Sequence, residues 1–234
     1  MNVSNLTSTH STCEAPSCSA SQTTIVPTVQ PPFPILWGFS TRRSDPDQLP
    51  ARKIAQVHGC VIWEASDTLR EGDGHWTRER GRRIGVRVAD CVPILLAGLL
   101  HGEPWVAALH AGWRGATSGI LRRGIERFIE LGGDSRDLYF AFGPCIQACH
   151  FEVGPEVIEA AKSDAAWRDD LASIGPGGKP HLDLHGLLRA QAIDMNLDPQ
   201  KDGSVKRCTL CERDTFYSYR GGDVGRQWGW VEIL

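Results

Sequence analysis

No apolar run in this chain approaches the roughly 18 residues that a membrane-crossing helix needs, so a soluble protein is expected. Basic residues are not in excess either. Lys and Arg number 25 against 28 Asp and Glu, a net charge of −3. That balance argues against nucleic acid as a partner, because backbone binding requires a face rich in cations. The glycine-rich loops that cradle phosphates are missing in both standard forms. The eight histidines contain no His-x-His pair of the kind a multicopper centre uses. His181 and His185 have helical i,i+4 spacing but lack the adjoining Glu of a zinc protease. There is no internal repeat, and no basic stretch followed by an apolar one to suggest a secretory leader.

What remains is an ordinary globular composition. The 234 residues are 41% hydrophobic and 23% charged, enough to bury a sizeable core. Residues 1–34 are rich in Ser, Thr and Pro and are expected to be a disordered tail, with 35–234 forming a single domain. The Asn2-Val3-Ser4 and Asn5-Leu6-Thr7 matches to a glycosylation pattern are read as chance. The eight cysteines are spread through a chain with a full apolar complement. A reduced, cytoplasmic protein with some cysteines in metal or catalytic roles is therefore expected over a disulfide scaffold.

Strands are expected at Ile35–Phe39, Val57–Trp63, Ile84–Val88, Ile94–Ala97, Trp105–Leu109, Leu138–Phe142, Thr215–Tyr219 and Trp228–Leu234. A helix should follow the turn at 111–115, capped by Thr117 or Ser118. Its apolar stripe is Ile120, Leu121, Ile125, Phe128 and Ile129, and Gly132-Gly133 ends it. Val157–Ala165 and Asp183–Ile193 also read as helices, the second capped by Asp183. Clustered strands with helices of moderate length point to α+β.

Three soft ligands lie where apolar strands end among Gly, Pro and small residues: His58, Cys91 and His110. Two neutral imidazoles and a thiolate would hold zinc and leave a fourth position open, the catalytic arrangement. Taken singly, each is better read as an ordinary buried Cys or satisfied His, and it is their shared setting that lifts the trio. The same residues would also serve a metal-free Cys–His nucleophilic pair built on Cys91. Cys208-Thr209-Leu210-Cys211 is a lone C-x-x-C with no second C-x-x-C to complete a structural zinc site. Arg42, Arg114, Arg220 and Arg226 sit beside turns or strand ends and are candidates for holding an anion.

The order of several short motifs is distinctive. Gln56-Val57-His58-Gly59 is followed by Ala89-Asp90-Cys91-Val92-Pro93, then His110-Ala111-Gly112-Trp113-Arg114-Gly115. Gly143-Pro144-Cys145-Ile146, Phe151-Glu152-Val153-Gly154, Cys208-Thr209 and Phe216-Tyr217-Ser218-Tyr219-Arg220 come after them. From about Phe39 to Leu234 the chain resembles the YfiH-type family, also called the laccase-domain or polyphenol oxidase family. The resemblance implies a four-layer α/β/β/α sandwich with mixed sheets and a metal site of His58, Cys91 and His110. Zinc is the implied metal, and copper is compatible with the same donors. It further implies purine nucleoside phosphorylase activity on adenosine, inosine, guanosine and methylthioadenosine, with phosphate as co-substrate, together with adenosine deaminase activity. Arg42 and Arg114 are the expected anion contacts. One departure stands out. The family's helix between the Ser-Thr-Arg motif and QVHG is missing or replaced here, since only residues 43–55 separate Arg42 from Gln56. A non-catalytic member lacking part of its substrate wall is thus an alternative, beside the Cys–His hydrolase or deamidase.

Overall fold

The computed structural model describes residues 23–50 and 54–234. In chain order its first strands are β1 (Thr24–Ile25), β2 (Ile35–Ser40), β3 (Ile54–Ala55), β4 (Ile62–Glu64), β5 (Arg70–Glu71) and β6 (Gly74–Thr77). They continue as β7 (Ile84–Val88), β8 (Val92–Leu100) and β9 (Glu103–Ala111), then helices α1 (Trp113–Thr117) and α2 (Ile120–Glu130). β10 (Tyr139–Phe142), α3 (Pro155–Lys162), β11 (Ala172–Ile174), β12 (Pro180–Leu182), α4 (Leu184–Asp194) and β13 (Gln227–Ile233) complete the order.

Strands β8 and β9 are the centre of the fold, and their near-continuous apolar sequence follows from burial on both faces. Along β8, Val92, Ile94 and Leu96 join a cluster shared with the helices, while Leu95 and Ala97 join a second cluster facing the other sheet. In β9 the same alternation sends Trp105, Ala107 and Leu109 toward the helices and Val106 and Ala108 toward the other sheet. Each fully buried Leu, Ile or Phe contributes roughly 1.5–3 kcal/mol, so this double-sided pair anchors the molecule. The five-stranded sheet runs β10-β8-β9-β6-β4, antiparallel except that β4 is parallel to β6. The four-stranded sheet runs β1-β2-β13-β7 and is antiparallel throughout.

The α+β class with mixed sheets is as expected. All four helices put apolar residues into the cluster on the five-stranded sheet. The outer face of the four-stranded sheet is covered differently: Arg83 stacks over Trp230 at 4.5 Å, and a Cβ on Gly85 would come within 2.7 Å of Pro50 Cγ. Pro50 belongs to the short segment after Arg42, whose regular structure among the described residues is the 3-10 turn Pro46–Gln48 and strand β3.

Several expectations need correction. Residues 23–34, assigned to the tail, belong to the fold: Ile25 is buried and pairs with Phe39, and Trp37 Nε1 donates to Gln30 Oε1 at 3.0 Å. The rest of the expected tail, and both glycosylation matches, lie outside the described residues. The strand expected over 57–63 is a loop from 56 to 61, because Val57 and Val61 face solvent instead of a core. Gly119, at φ 85°, separates α1 from α2, so Thr117 closes the first helix rather than capping the second. Ile129 is exposed. Residues 215–219 form no strand but an irregular segment: Tyr217 N donates to Gln227 Oε1 and Ser218 N to Asp223 Oδ2.

Candidate metal centre and cavity

His58, Cys91 and His110 come from three separate chain segments and converge with their ligand atoms within 4.8 Å of one another. His110 lies near the end of β9, opposite Pro93 of β8, and is buried. Cys91 is half-buried in the connection between β7 and β8, and His58 is exposed in the loop after β3. The two imidazoles meet edge to face with ring centroids 4.8 Å apart.

The brace beneath this trio is Asp73, fully buried just before β6. Its carboxylate accepts from the backbone N–H groups of Val57 (3.3 Å), His58 (2.9 Å) and Gly59 (2.7 Å). It also binds His110 Nδ1 at 2.8 Å, while its carbonyl accepts from His110 N at 2.7 Å. One side chain therefore fixes the loop that carries His58 and the ring orientation of His110. With Nδ1 engaged by the carboxylate, Nε2 is left as the ligand atom, the carboxylate–histidine–metal arrangement. Burial pushes the Asp73 carboxyl up, but His110 and the loop amides outweigh it and hold it below its ordinary value.

Backbone strain is spent at the same place. His58 and Asp90 both adopt positive φ, 62° and 85°. Such conformations cost about 1 kcal/mol or more for non-glycine residues. The Asp73 contacts offset the first. Asp90 is held by Thr209 Oγ1 (2.6 Å) and Arg220 N (2.7 Å), which donate to its carboxylate, and by Ile146 N, which donates to its carbonyl at 2.9 Å. That anchoring aims the next residue, Cys91. Gly112 completes the cradle: a Cβ there would sit 2.9 Å from His58 Cδ2 and 3.2 Å from Cys91 Sγ.

The donor set fits a single zinc or copper ion, with three protein ligands and a fourth position facing a cavity. Without metal, burial raises the Cys91 thiol, but hydrogen bonds and charge from His110 and His58 outweigh it and bring it down to about 6. Burial opposes the charged form of His110, yet Asp73 and Cys91 lift it to about 9. A thiolate beside an imidazolium results, a pair poised to exchange its proton for a cation.

The trio floors a cavity of about 700 Å³. Arg87, Arg114, Arg220 and Arg226 line it, against the single carboxylate of Asp90. Trp113, Phe151 and Tyr219 add aromatic surface. The site is electropositive although the chain is net negative. Arg114 lies over the Trp113 ring at 4.2 Å, and Arg220 Nη2 donates to Glu152 O at 2.9 Å. Arg42 is placed elsewhere. It ion-pairs with Asp223, donates from Nε to Phe216 O at 2.8 Å and stacks over Tyr217, so it does not line the cavity. Sequence reasoning missed Asp73, whose only mark is an acidic residue squeezed between Gly72 and Gly74.

Fold and site together describe an α+β protein whose His58, Cys91 and His110 form a donor set able to hold a soft metal ion, under a basic cavity. Comparison with known proteins gives the family. The model for "Multi-copper polyphenol oxidoreductase laccase" matches residues 43–234. The chain is 35% identical over 178 residues to "Adenosine deaminase RL5" of an unknown prokaryotic organism, covering 70% of this chain and 67% of that one. It is 32% identical over 177 residues to "Purine nucleoside phosphorylase YfiH" of Escherichia coli, covering 74% and 70%. The crystal structure of the hypothetical protein YfiH from Bacillus licheniformis superposes with a TM-score of 0.77 at 20% identity, over 86% of this chain and 93% of that one, a likeness of fold. The chain belongs to this YfiH, or laccase-domain, family of enzymes. The multicopper part of the family's description does not fit the residues present, because the trio offers only two imidazoles. Among the described residues no helix is long and apolar enough to cross a membrane.

Proposed function

We propose that this chain is a metal-dependent purine nucleoside phosphorylase that also deaminates adenosine, with His58, Cys91 and His110 holding zinc. The observation that carries the reading is the braced trio at the floor of a cavity with four arginines and three aromatic rings. Activities named for relatives at 32–35% identity support it. Adenosine, inosine, guanosine and methylthioadenosine are the expected nucleosides.

In phosphorolysis a phosphate oxygen bonds to the anomeric carbon as the glycosidic C–N bond breaks, giving the 1-phosphate of ribose (of methylthioribose from methylthioadenosine) and the free base, which takes up the proton that hydrogen phosphate releases. Arg114 and Arg220 supply the charge-assisted hydrogen bonds that hold phosphate beside the sugar. The faces of Trp113, Phe151 and Tyr219 receive the purine, and their bulk keeps water from the anomeric carbon. In deamination water adds at C6 of adenosine and ammonia leaves, giving inosine. When bound, the metal supplies Lewis acidity and lowers the pKa of water at neutral pH. Asp73 keeps the His110 ring aligned throughout.

Chromatography of nucleosides incubated with metal-loaded protein tests the reading. Free base should form only when phosphate is present, and His110→Ala should abolish it. Loaded protein that turns over none of the four nucleosides would leave the non-catalytic alternative standing.

One observation favours a second reading. Asp73, His110 and Cys91 are ordered as an orienting acid, a base and a thiolate nucleophile. A metal-free hydrolase or deamidase of this kind would be indifferent to chelators and inactivated by alkylation of Cys91.

A further inference from the structure

We propose that Cys149, His150, Cys208 and Cys211 form a second metal site, a closed Cys₃His zinc centre tied to the Asp90 anchor through Thr209.

The sequence offers a lone C-x-x-C, but the fold supplies its missing half as an adjacent Cys-His pair. The loop after β10 lies against the segment at 207–209 through two backbone hydrogen bonds, Cys145 N to Arg207 O (3.2 Å) and Thr209 N to Cys145 O (3.0 Å). That pairing sets Cys149 and His150 facing Cys208 and Cys211. His150 Nδ1 lies 3.2 Å from Cys149 Sγ, 3.4 Å from Cys211 Sγ and 3.8 Å from Cys208 Sγ. Cys149 Sγ and Cys211 Sγ are 3.6 Å apart, and all four ligand atoms fall within 4.8 Å of one another.

Those distances are the edges of a coordination tetrahedron. Zn–S bonds of about 2.3 Å and Zn–N bonds of about 2.0–2.1 Å imply S···S edges near 3.8 Å and S···N edges near 3.6 Å. Hydrogen bonds to the His150 ring nitrogen do not account for its place among three sulfurs. A single ring nitrogen has one lone pair or one proton, so it cannot satisfy three sulfurs at once. A cation at their centre can. The chemistry of the donors selects the ion: three thiolates and an imidazole in a tetrahedral set suit Zn²⁺, and four protein ligands leave no position for substrate. Cys149 and His150 are exposed, so the ion can enter from solvent without unfolding the domain.

The centre would pin two segments that form one wall of the cavity. Phe151 follows His150, and Arg220 Nη1 donates to His150 O at 3.4 Å while Arg220 N holds Asp90. Thr209, between the two C-x-x-C cysteines, grips the other oxygen of Asp90. The site is thus a staple, built independently of what the cavity binds.

Zinc content of full-length protein, equilibrated with Zn²⁺ and freed of excess, tests the assignment. Wild type should hold two equivalents per chain, and Cys91→Ala one. Adding Cys149→Ser and Cys211→Ser to Cys91→Ala should leave none. Cys149→Ser alone, at an exposed position, guards against a folding failure of the multiple variant and should weaken the second equivalent at least tenfold in a chelator competition. Cobalt(II) bound to the Cys91→Ala protein should show the intense visible absorption of tetrahedral thiolate ligation. Removing the metal from that variant should lower Tm by roughly 10 °C, the scale for a tightly bound ion in a domain of this size. Cys91→Ala protein that binds no zinc under reducing conditions, or in which Cys149 and Cys211 form a disulfide that persists in excess zinc, overturns the proposal.

Discussion

The floor of the cavity and its arginine-bearing rim are held in place by different means. On the floor one buried carboxylate receives four hydrogen bonds and fixes two of the three trio residues, in a region with no solvent to screen it. On the rim, arginines lean on exposed rings and backbone carbonyls: Arg226 Nη1 donates to Gly225 O at 2.8 Å and stacks near Tyr219, which is 71% exposed. Buried charge pairs lose several kcal/mol when one partner goes, whereas exposed contacts lose 0–1. The floor should therefore behave as a single rigid unit and the rim as a set of separable contacts. Chemistry that depends on a preorganised centre belongs on the first, and selection among substrates on the second.

The comparison breaks most decisively at Asp73. Asp73→Ala should cost about 3 kcal/mol of stability in urea titration, because three amides and His110 lose their acceptor together. Metal affinity should fall about 100-fold, measured by chelator competition, the upper range for losing a carboxylate behind a ligating histidine. Asp73→Asn, which keeps the shape and one acceptor, should retain more of both. Equal affinity in wild type and Asp73→Ala would show that the floor is not braced as described.

Cys91 and His110 were legible in the sequence because each sits where a buried apolar strand meets Gly or Pro, whereas His58 lies in a loop whose Val57 and Val61 face solvent and is marked by the Gln56-Val57-His58-Gly59 motif. Asp73 was not, since a carboxylate that binds loop amides leaves no spacing signature. Central strands were legible for a related reason: burial on both faces of β8 and β9 demands continuous apolar sequence. The failures share one cause. Phe216-Tyr217-Ser218-Tyr219 alternates as a strand does, yet the amides of Tyr217 and Ser218 are met by the side chains of Gln227 and Asp223, and that of Phe216 by the Glu212 carbonyl, which no local pattern reports. Arg42 looked like an anion contact until Asp223, 181 residues away, was seen to occupy it. The short 43–55 segment was noted as a departure, and in the fold it coincides with a four-stranded sheet whose outer face has no α-helix among the described residues.

Histidines buried without a carboxylate sharpen the contrast with His110. Burial holds His185 down to about 4, and its Nε2 has no hydrogen-bond partner; His75 is likewise at about 4. Because the folded values lie below the ordinary 6.5, the unfolded chain takes up protons first as pH falls. The contribution of these two histidines to stability is unaffected above about pH 7, is lost from about 6.5 down to about 4, and levels off below that. For each histidine the loss at pH 5 is about 2 kcal/mol. His185→Phe, in a site already edge to face with Phe142 at 5.6 Å, should remove its share, flattening denaturation midpoints between pH 7 and 5. An unchanged pH slope would mean His185 is not buried neutral.

Gly112→Ala probes the floor without touching its brace. The backbone at φ −73° accepts alanine, so stability should change by less than about 1 kcal/mol. The new methyl would crowd His58 and Cys91, and His58, being exposed, can swing aside. Metal affinity should fall roughly tenfold, and a tight-binding Gly112→Ala would show that His58 contributes little to the centre.

The smallest expected effects separate a rim residue that meets the substrate from one that only supports the rim. Arg114→Ala removes a cation from the cavity and should raise KM for phosphate about tenfold, the lower range for a charge-assisted hydrogen bond. Arg42→Ala instead frees Asp223 and the Phe216 carbonyl and loosens the turn that carries Tyr219 and Arg220. Its ion pair is partly exposed, so the effect should be roughly two- to threefold in KM with kcat unchanged. If steady-state kinetics give Arg42→Ala the larger penalty, the rim is no set of separable contacts. Its order would then depend on the Arg42–Asp223 pair as the floor depends on Asp73.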